Sequence, residues 1–370
     1  MKIGIYLGDI KKPNSYGELT FELSFVDELL KKTTAHEFIF YYFGKKNIFK
    51  NSDSVHFVRL NRCFCMLNRR LKKDKVNLAI FLSPYIKEHI EVPYFALIRD
   101  VAHRVLPYFP EFSFKNENKF LNFLSYASKI ITGNQISKDD IKTLYNVIDE
   151  NILTIPLPYP SWVEHVETSE VVLSKFNLSK NAYILYPAQF LTHKNHIRLL
   201  YTAQILKEQN INLKIVFTGL DRGNKNYILS KVEEFDLEND ILFLDYVKNN
   251  ELASLYKNAY AMCCPSLAGV DSISALEALY FRCPVLISNN SGYDLQLKGA
   301  ALYFNPLDES DIVKKIEELN ELAIKDELLA KGELLIKECS FSSFVISIID
   351  AVDNFYHIRQ CWSMDEEYKI

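Results

Sequence analysis

Short, continuous apolar runs recur along this chain in two series, many of them leading into a segment of helical period, and three prolines stand between the series. The first series comprises Ile3–Leu7, Glu37–Phe43, Val55–Leu60, Val76–Leu82, Pro93–Ile98 and Ile130–Thr132. Runs that stay apolar instead of alternating suit strands covered on both faces, as in a parallel sheet. After the first run, Leu19, Leu23, Val26 and Leu30 fall at steps of four, three and four, which predicts one buried helix face. A second helix is predicted from Ser137 to Tyr145. Pro156, Pro158 and Pro160 fix φ and withhold donors, so a stiff, extended connection is expected there. The second series is Ala182–Tyr186, Leu213–Phe217, Ile241–Leu244, Ala259–Cys264, Pro284–Ser288 and Ala301–Phe304. Helices are expected from Asn195 to Lys207, from Ser272 to Phe281 and, last, from Phe341 to Ile358. The fold class is therefore α/β: two Rossmann-like, doubly wound domains facing a central cleft.

A chain of 370 residues is long enough for two such domains. Lys and Arg number 43 against 47 Asp and Glu, a net charge of −4, without the basic excess of a nucleic-acid binder. No apolar run reaches the roughly 18 residues of a membrane span. Met1 opens directly into a strand-like run, so no leader peptide is expected. Seven cysteines with no C-x-x-C pair fit a reducing compartment, and a cytoplasmic location is expected. Only eleven glycines occur, so a glycine just past a strand is informative.

Four segments carry chemistry. Pro187-Ala188-Gln189-Phe190-Leu191-Thr192-His193-Lys194-Asn195-His196 follows a strand and opens a helix. A lysine at such a junction, beside free N–H groups, suits an anionic phosphate; the alternative for Lys194 is a solvated loop position. His193 and His196 have no carboxylate or cysteine near them in sequence, and no metal is assigned to them. Next, Pro265 to Leu279 runs from a strand end through Gly269 into a helix capped by Asp271 or Ser272. A pyrophosphate could accept backbone N–H bonds from Val270, Asp271, Ser272, Ile273 and Ser274 there. Glu277, one turn in and between Leu276 and Ala278, could take the two hydroxyls of a ribose; otherwise it faces water. The third segment, Arg99 to Pro110, puts Asp100 and His103 just past a strand, where they suit binding or proton chemistry; the alternative for His103 is a structural imidazole. In the fourth, Ser15-Tyr16-Gly17 opens the first helix and could approach a phosphate or acceptor.

Taken in order, these stations resemble glycosyltransferase family 4, retaining enzymes of the GT-B fold. The likeness is strongest from Tyr186 to Pro306 and includes Phe217-Thr218-Gly219, Phe243 to Val247, Pro265-Ser266, Leu276-Glu277-Ala278 and Cys283-Pro284-Val285. Asp100 to Pro110 resembles a subgroup that makes bacterial surface polysaccharides, including lipopolysaccharide mannosyl- and glycosyltransferases. The resemblance implies an acceptor-side domain at 1–163, a nucleotide-sugar domain at 164–345, and a helix and tail at 346–370 that returns to the first domain. It implies donor contacts from Gln189, Lys194, Gly219, Val247, the 269–274 loop and Glu277, and catalytic roles for His103, Asp100 and Lys194.

Two departures stand out. The family's usual carboxylate eight residues before the ribose Glu is Gly269 here, and its usual Arg five residues before the phosphate Lys is Gln189. No D-x-D pair for a divalent cation occurs, so metal-independent transfer without a cofactor is expected. The acceptor would be a saccharide or lipid-linked saccharide, and GDP-mannose is placed ahead of UDP- or dTDP-linked sugars as donor. Residues 61–75 are basic with interleaved apolar positions, which suits peripheral contact with the cytoplasmic face of the inner membrane. The competing readings are a catalytically silent GT-B-like binding subunit, favoured by Gly269 and Gln189, and another GT-B sugar-nucleotide enzyme such as an epimerase.

Overall fold

A computed structural model describes residues 1–9, 16–43, 55–60, 66–85, 88–112 and 116–361. The first half builds a parallel sheet from β1 (Lys2–Asp9), β2 (Glu37–Phe43), β3 (Val55–Arg59), β4 (Leu78–Phe81), β5 (Tyr94–Leu97), β6 (Lys129–Thr132) and β7 (Ile152–Thr154), in the order β3-β2-β1-β4-β5-β6-β7. The second half builds another from β8 (Tyr183–Pro187), β9 (Lys214–Thr218), β10 (Ile241–Leu244), β11 (Ala261–Cys264), β12 (Val285–Ser288) and β13 (Leu302–Phe304), in the order β10-β9-β8-β11-β12-β13. Both are doubly wound, as the two series of apolar runs predict. Each strand order reverses beside its first strand, between β1 and β4 and between β8 and β11. β7 was not expected from its sequence.

Burial explains the strand composition. In the first sheet Ile5 lies between Phe40 and Ile80, all three fully covered. In the second, Leu185 lies between Val216 and Met262, again fully covered. The first helix, Tyr16–Leu30, departs from the predicted stripe. Val26 is buried, but Leu30 is 47% exposed, and the covered positions are Phe21, Phe25 and Leu29. The reason is the last helix, Phe341–Arg359, which crosses back onto the first domain. The Phe21 ring meets Phe341 at 5.1 Å and Phe344 at 5.5 Å. Val345, Ile348 and Val352 of that helix enter the same core. His36 Nε2 lies 2.7 Å from Asp353 and Lys32 donates to Ser342 at 2.5 Å, which pins both ends of the contact.

The chain thus passes between the halves twice, once through 155–160 and once at 339–340. The two passages are bonded to each other: the Tyr159 N–H donates to the Cys339 carbonyl at 3.0 Å.

Only the later part of the basic stretch lies among the described residues. Within helix Met66–Lys73, Leu67 and Leu71 point into the first-domain core, each 1% exposed. Arg70 Nε donates to Asp74 at 2.7 Å, and Lys72 pairs with Glu91. Leu67 and Leu71 are therefore covered; residues 61–65 lie outside the described residues. Among the described residues no helix is long and apolar enough to cross a membrane.

Candidate functional site

In a doubly wound sheet a ligand lodges outside the carboxyl ends of the strands, where the order reverses. In the second sheet that place lies between the loops leaving β8 and β11. The β8 loop carries Lys194, and its backbone is tied from three directions. The Tyr186 hydroxyl donates to the Lys194 carbonyl at 2.8 Å, and the Leu267 N–H donates to the His193 carbonyl at 2.8 Å. Asn195, at φ 56°, donates its side-chain amide to the Pro265 carbonyl (3.0 Å) and the Pro306 carbonyl (2.8 Å). A lysine on so fixed a frame loses little further backbone freedom when it meets an anion. Among the described residues no carboxylate lies within ion-pair distance of its ammonium. Asn195 was not singled out by sequence; a polar residue one position before a helix was the available signal.

The β11 loop enters helix Ile273–Tyr280. Of the two expected caps, Ser272 performs the role: its Oγ accepts the Ala275 N–H at 3.2 Å. The Ser272 N–H, expected to face a phosphate, donates instead to Gln296 Oε1 at 2.7 Å. The helix start therefore presents the Ile273 and Ser274 N–H groups, which have no acceptor within the helix, together with the positive end of its dipole. Gly269 sits at φ +111°, and a Cβ there would come within 3.0 Å of the Tyr293 hydroxyl. That hydroxyl donates to the Ala268 carbonyl at 3.1 Å, so a side chain at 269 would strain the backbone and crowd this bond. A residue without a side chain is what this loop conformation accommodates at 269. Val270 contributes its carbonyl to a contact with the first domain, described below.

Glu277 lies one turn into the helix, and the Tyr256 hydroxyl donates to its Oε2 at 2.8 Å. Burial pushes its carboxyl up to about 7, against the pull of the Tyr256 hydroxyl and the Trp162 indole. Two hydrogen-bonding hydroxyls from a ligand would restore the ionised form.

The first domain reaches this site at two points. Asn134, beyond β6, donates to the Val270 carbonyl at 2.9 Å and to Asp271 Oδ1 at 3.0 Å. Asp271 is thus an interdomain contact. Burial pushes its carboxyl up to about 6, and its Oδ2 has no partner among the described residues. Beyond β5, Glu111 Oε1 accepts the His193 N–H at 2.8 Å and lies 2.5 Å from its Nδ1, while Phe112 stacks on the imidazole at 4.8 Å. Burial and the neighbouring Lys194 lower the His193 pKa in spite of Glu111. His196 instead stacks on Phe190 at 4.5 Å, and burial pulls it down to about 3. The two rings therefore serve separate contacts. Neither Glu111 nor Asn134 carried a motif by which the sequence could have flagged it.

Asp100 is exposed past β5, its Oδ1 accepting the Ala102 N–H at 2.9 Å. His103 turns into the first domain: its Nε2 lies 2.9 Å from the Tyr145 hydroxyl and 3.1 Å from Glu117 Oε2, and its ring meets Phe120 edge-on. Tyr16 and Gly17 begin the first helix; Ser15 lies outside the described residues. Val247 packs its side chain into the second core, so only its backbone can face a ligand. Gly219, beyond β9, allows a close approach, because a Cβ there would fall 2.1 Å from the Ala188 carbonyl. Gln189 Oε1 accepts a hydrogen bond from Arg222 Nε at 3.3 Å.

Residues 172–332 match the family described as Glycosyl transferases group 1. The matched segment is the domain built on the second sheet. Lys194, the 269–274 loop and Glu277 all lie inside that domain; Glu111 and Asn134 reach it from outside. The chain is 30% identical over 228 residues to the O-antigen chain mannosyltransferase RfbU of Salmonella typhimurium, covering 59% of this chain and 60% of that protein. It is 26% identical over 234 residues to the O-antigen chain mannosyltransferase B of Escherichia coli, covering 62% and 61%. The match thus spans about three fifths of the length of each of these relatives. Among solved structures, WaaG, a glycosyltransferase involved in lipopolysaccharide biosynthesis, superposes with a TM-score of 0.70 at 12% identity over 95% of this chain and 99% of that one. Anabaena Alr3699/HepE, solved in complex with UDP, gives 0.71 at 14% identity over 96% and 100%. The two doubly wound sheets have the GT-B fold.

Proposed function

We propose that this protein transfers a sugar from a nucleoside-diphosphate donor to a saccharide or lipid-linked saccharide acceptor in surface-polysaccharide assembly. The observation that carries this reading is Lys194, held by bonds from three loops beside the open start of helix Ile273–Tyr280, at the strand-order reversal of the second sheet. Breaking the sugar–phosphate bond places negative charge on the departing diphosphate. Lys194 and the Ile273 and Ser274 N–H groups would stabilise that charge with donors already in place. Glu277 would accept the ribose hydroxyls. Asp100, exposed at the cleft edge, would orient the sugar or the acceptor, while His103 braces the first domain.

Retention of anomeric configuration follows if the acceptor hydroxyl attacks from the face the phosphate leaves and gives that phosphate its proton. No protein nucleophile is then required, consistent with Gly269 where a carboxylate is usual. The sequence lacks a D-x-D pair, which favours transfer without a metal. The mannosyltransferase names of two relatives favour GDP-mannose as donor. Calorimetric titration of the full chain with GDP, UDP and dTDP tests the reading. One of the three is expected to bind, and Lys194→Ala to weaken it about tenfold to a hundredfold. No binding by the parent protein, or equal binding by the variant, overturns it. Donor turnover by the purified chain separates a transferase from a silent binding subunit.

A further inference from the structure

Lys194 closes the short helical turn Thr192–Lys194. The first N–H groups of such a turn have no acceptor inside it, and an oxygen-bearing side chain one position earlier usually supplies one. Here that position is Leu191, whose side chain has no oxygen. The His193 N–H is satisfied from the other domain instead: Glu111 Oε1 accepts it at 2.8 Å.

The first domain holds Glu111 firmly for this reach. It is the middle residue of the turn Pro110–Phe112, which the Phe112 N–H closes onto the Phe109 carbonyl at 3.0 Å, and Pro107 and Pro110 fix φ just before it. The same Oε1 lies 2.5 Å from His193 Nδ1. Burial and Lys194 lower the His193 pKa, so the ring is neutral at pH 7, and beside an ionised carboxylate its proton sits on Nδ1. Burial opposes the charge on Glu111, but the bonds from His193 and from its own N–H keep its pKa below the usual carboxylate range. Both N–H groups of His193 thus converge on one oxygen, in a contact whose side chains are only 13% and 9% exposed.

The other ties on this loop come from the second domain. They act on the His193 and Lys194 carbonyls and on the Asn195 side chain. Glu111 takes hold on the amide side, immediately before Lys194. We propose that Glu111 is a positioning residue of the diphosphate site, acting across the domain seam through the His193 N–H to fix the peptide that aims Lys194. The inference rests on the donor reading above and adds to it a residue outside the matched segment. Without the tether Lys194 is still present but less well aimed, and a misplacement of about 1 Å is enough to cost much of a site's effect. Glu111 is half-buried on a surface turn, so its replacement leaves both hydrophobic cores packed.

The test titrates GDP, UDP and dTDP into the full chain and its variants, after thermal unfolding has shown each to be folded. Glu111→Ala is expected to weaken the preferred diphosphate about tenfold. Glu111→Asp keeps the charge but draws the oxygen back by one methylene, and is expected to behave like Glu111→Ala. Glu111→Gln loses the charge but keeps an oxygen for the N–H, and is expected to stay within about threefold of the parent. In a Lys194→Ala background, Glu111→Ala is expected to change affinity less than about twofold, because the group it aims is gone. If Lys194→Ala weakens the diphosphate while Glu111→Ala and Glu111→Asp match the parent, the Glu111 assignment is overturned and the donor reading survives. If Glu111→Gln falls as far as Glu111→Ala, or if Glu111→Ala costs the same with and without Lys194, the assignment is likewise overturned. If the parent binds no diphosphate, both readings fall.

Discussion

The two halves have the same strand order around their first strands but different ways of closing their cores. In the second half one continuous cluster wraps both faces of the sheet and is supplied wholly from residues 159–339. In the first half each face has its own cluster, and one of them depends on Phe341, Phe344, Val345, Ile348 and Val352 from the far end of the chain. The second half therefore closes its core with its own residues, while the first half needs the last helix to complete one face.

The sharpest way to break this comparison is at the last helix. Phe344→Ala should cost about 3–5 kcal/mol, because a buried ring on three aromatic neighbours leaves a cavity. Ending the chain at Ser340 should abolish cooperative unfolding of the first half while proteolysis still yields a resistant fragment from the second. Calorimetry and limited proteolysis read both. Equal loss of the two halves would show that they share one core.

A smaller effect concerns the carboxylate inside the self-sufficient half. Burial raises Glu277 to about 7 in the folded state, from an ordinary value of 4.5. The folded form thus holds its proton more tightly than the unfolded chain. The stability this supplies is complete below pH 4.5 and is lost as pH rises through about 7, roughly 3 kcal/mol at most. Glu277→Gln should flatten that decline in thermal unfolding measured from pH 4.5 to 8. A variant with the parent's slope would move the titration elsewhere, with Asp271 next.

The smallest effect tests the seam between the halves. Asn134→Ala removes the donor to Val270 and Asp271 and should cost about 1–2 kcal/mol. Asp271→Asn in the same background should recover part of it, since a neutral amide replaces a buried carboxylate that has lost its donor. Denaturant unfolding distinguishes the two.

The sequence carried most of the strands, because a strand buried on both faces must be apolar throughout. It did not carry β7, whose three residues Ile152–Thr154 follow the polar turn Asp149–Asn151 and become a strand only by pairing with β6. Nor could periodicity choose between two stripes on the first helix. The aromatic stripe won through contacts with residues more than 300 positions away. In the site, Lys194, Ser272 and Glu277 were legible because strand, loop and helix start are contiguous in sequence. Asn134 and Glu111 were not, since each contacts a loop that only the tertiary fold brings beside it. Nor did the position of His103 just past a strand end announce that its Nε2 lies beside Glu117 and Tyr145.

The bond between Tyr159 and Cys339 has a mechanical consequence. Two passages of backbone, stitched side by side, behave like the spine of a book. They resist sliding one cover along the other, which would shear the stitch.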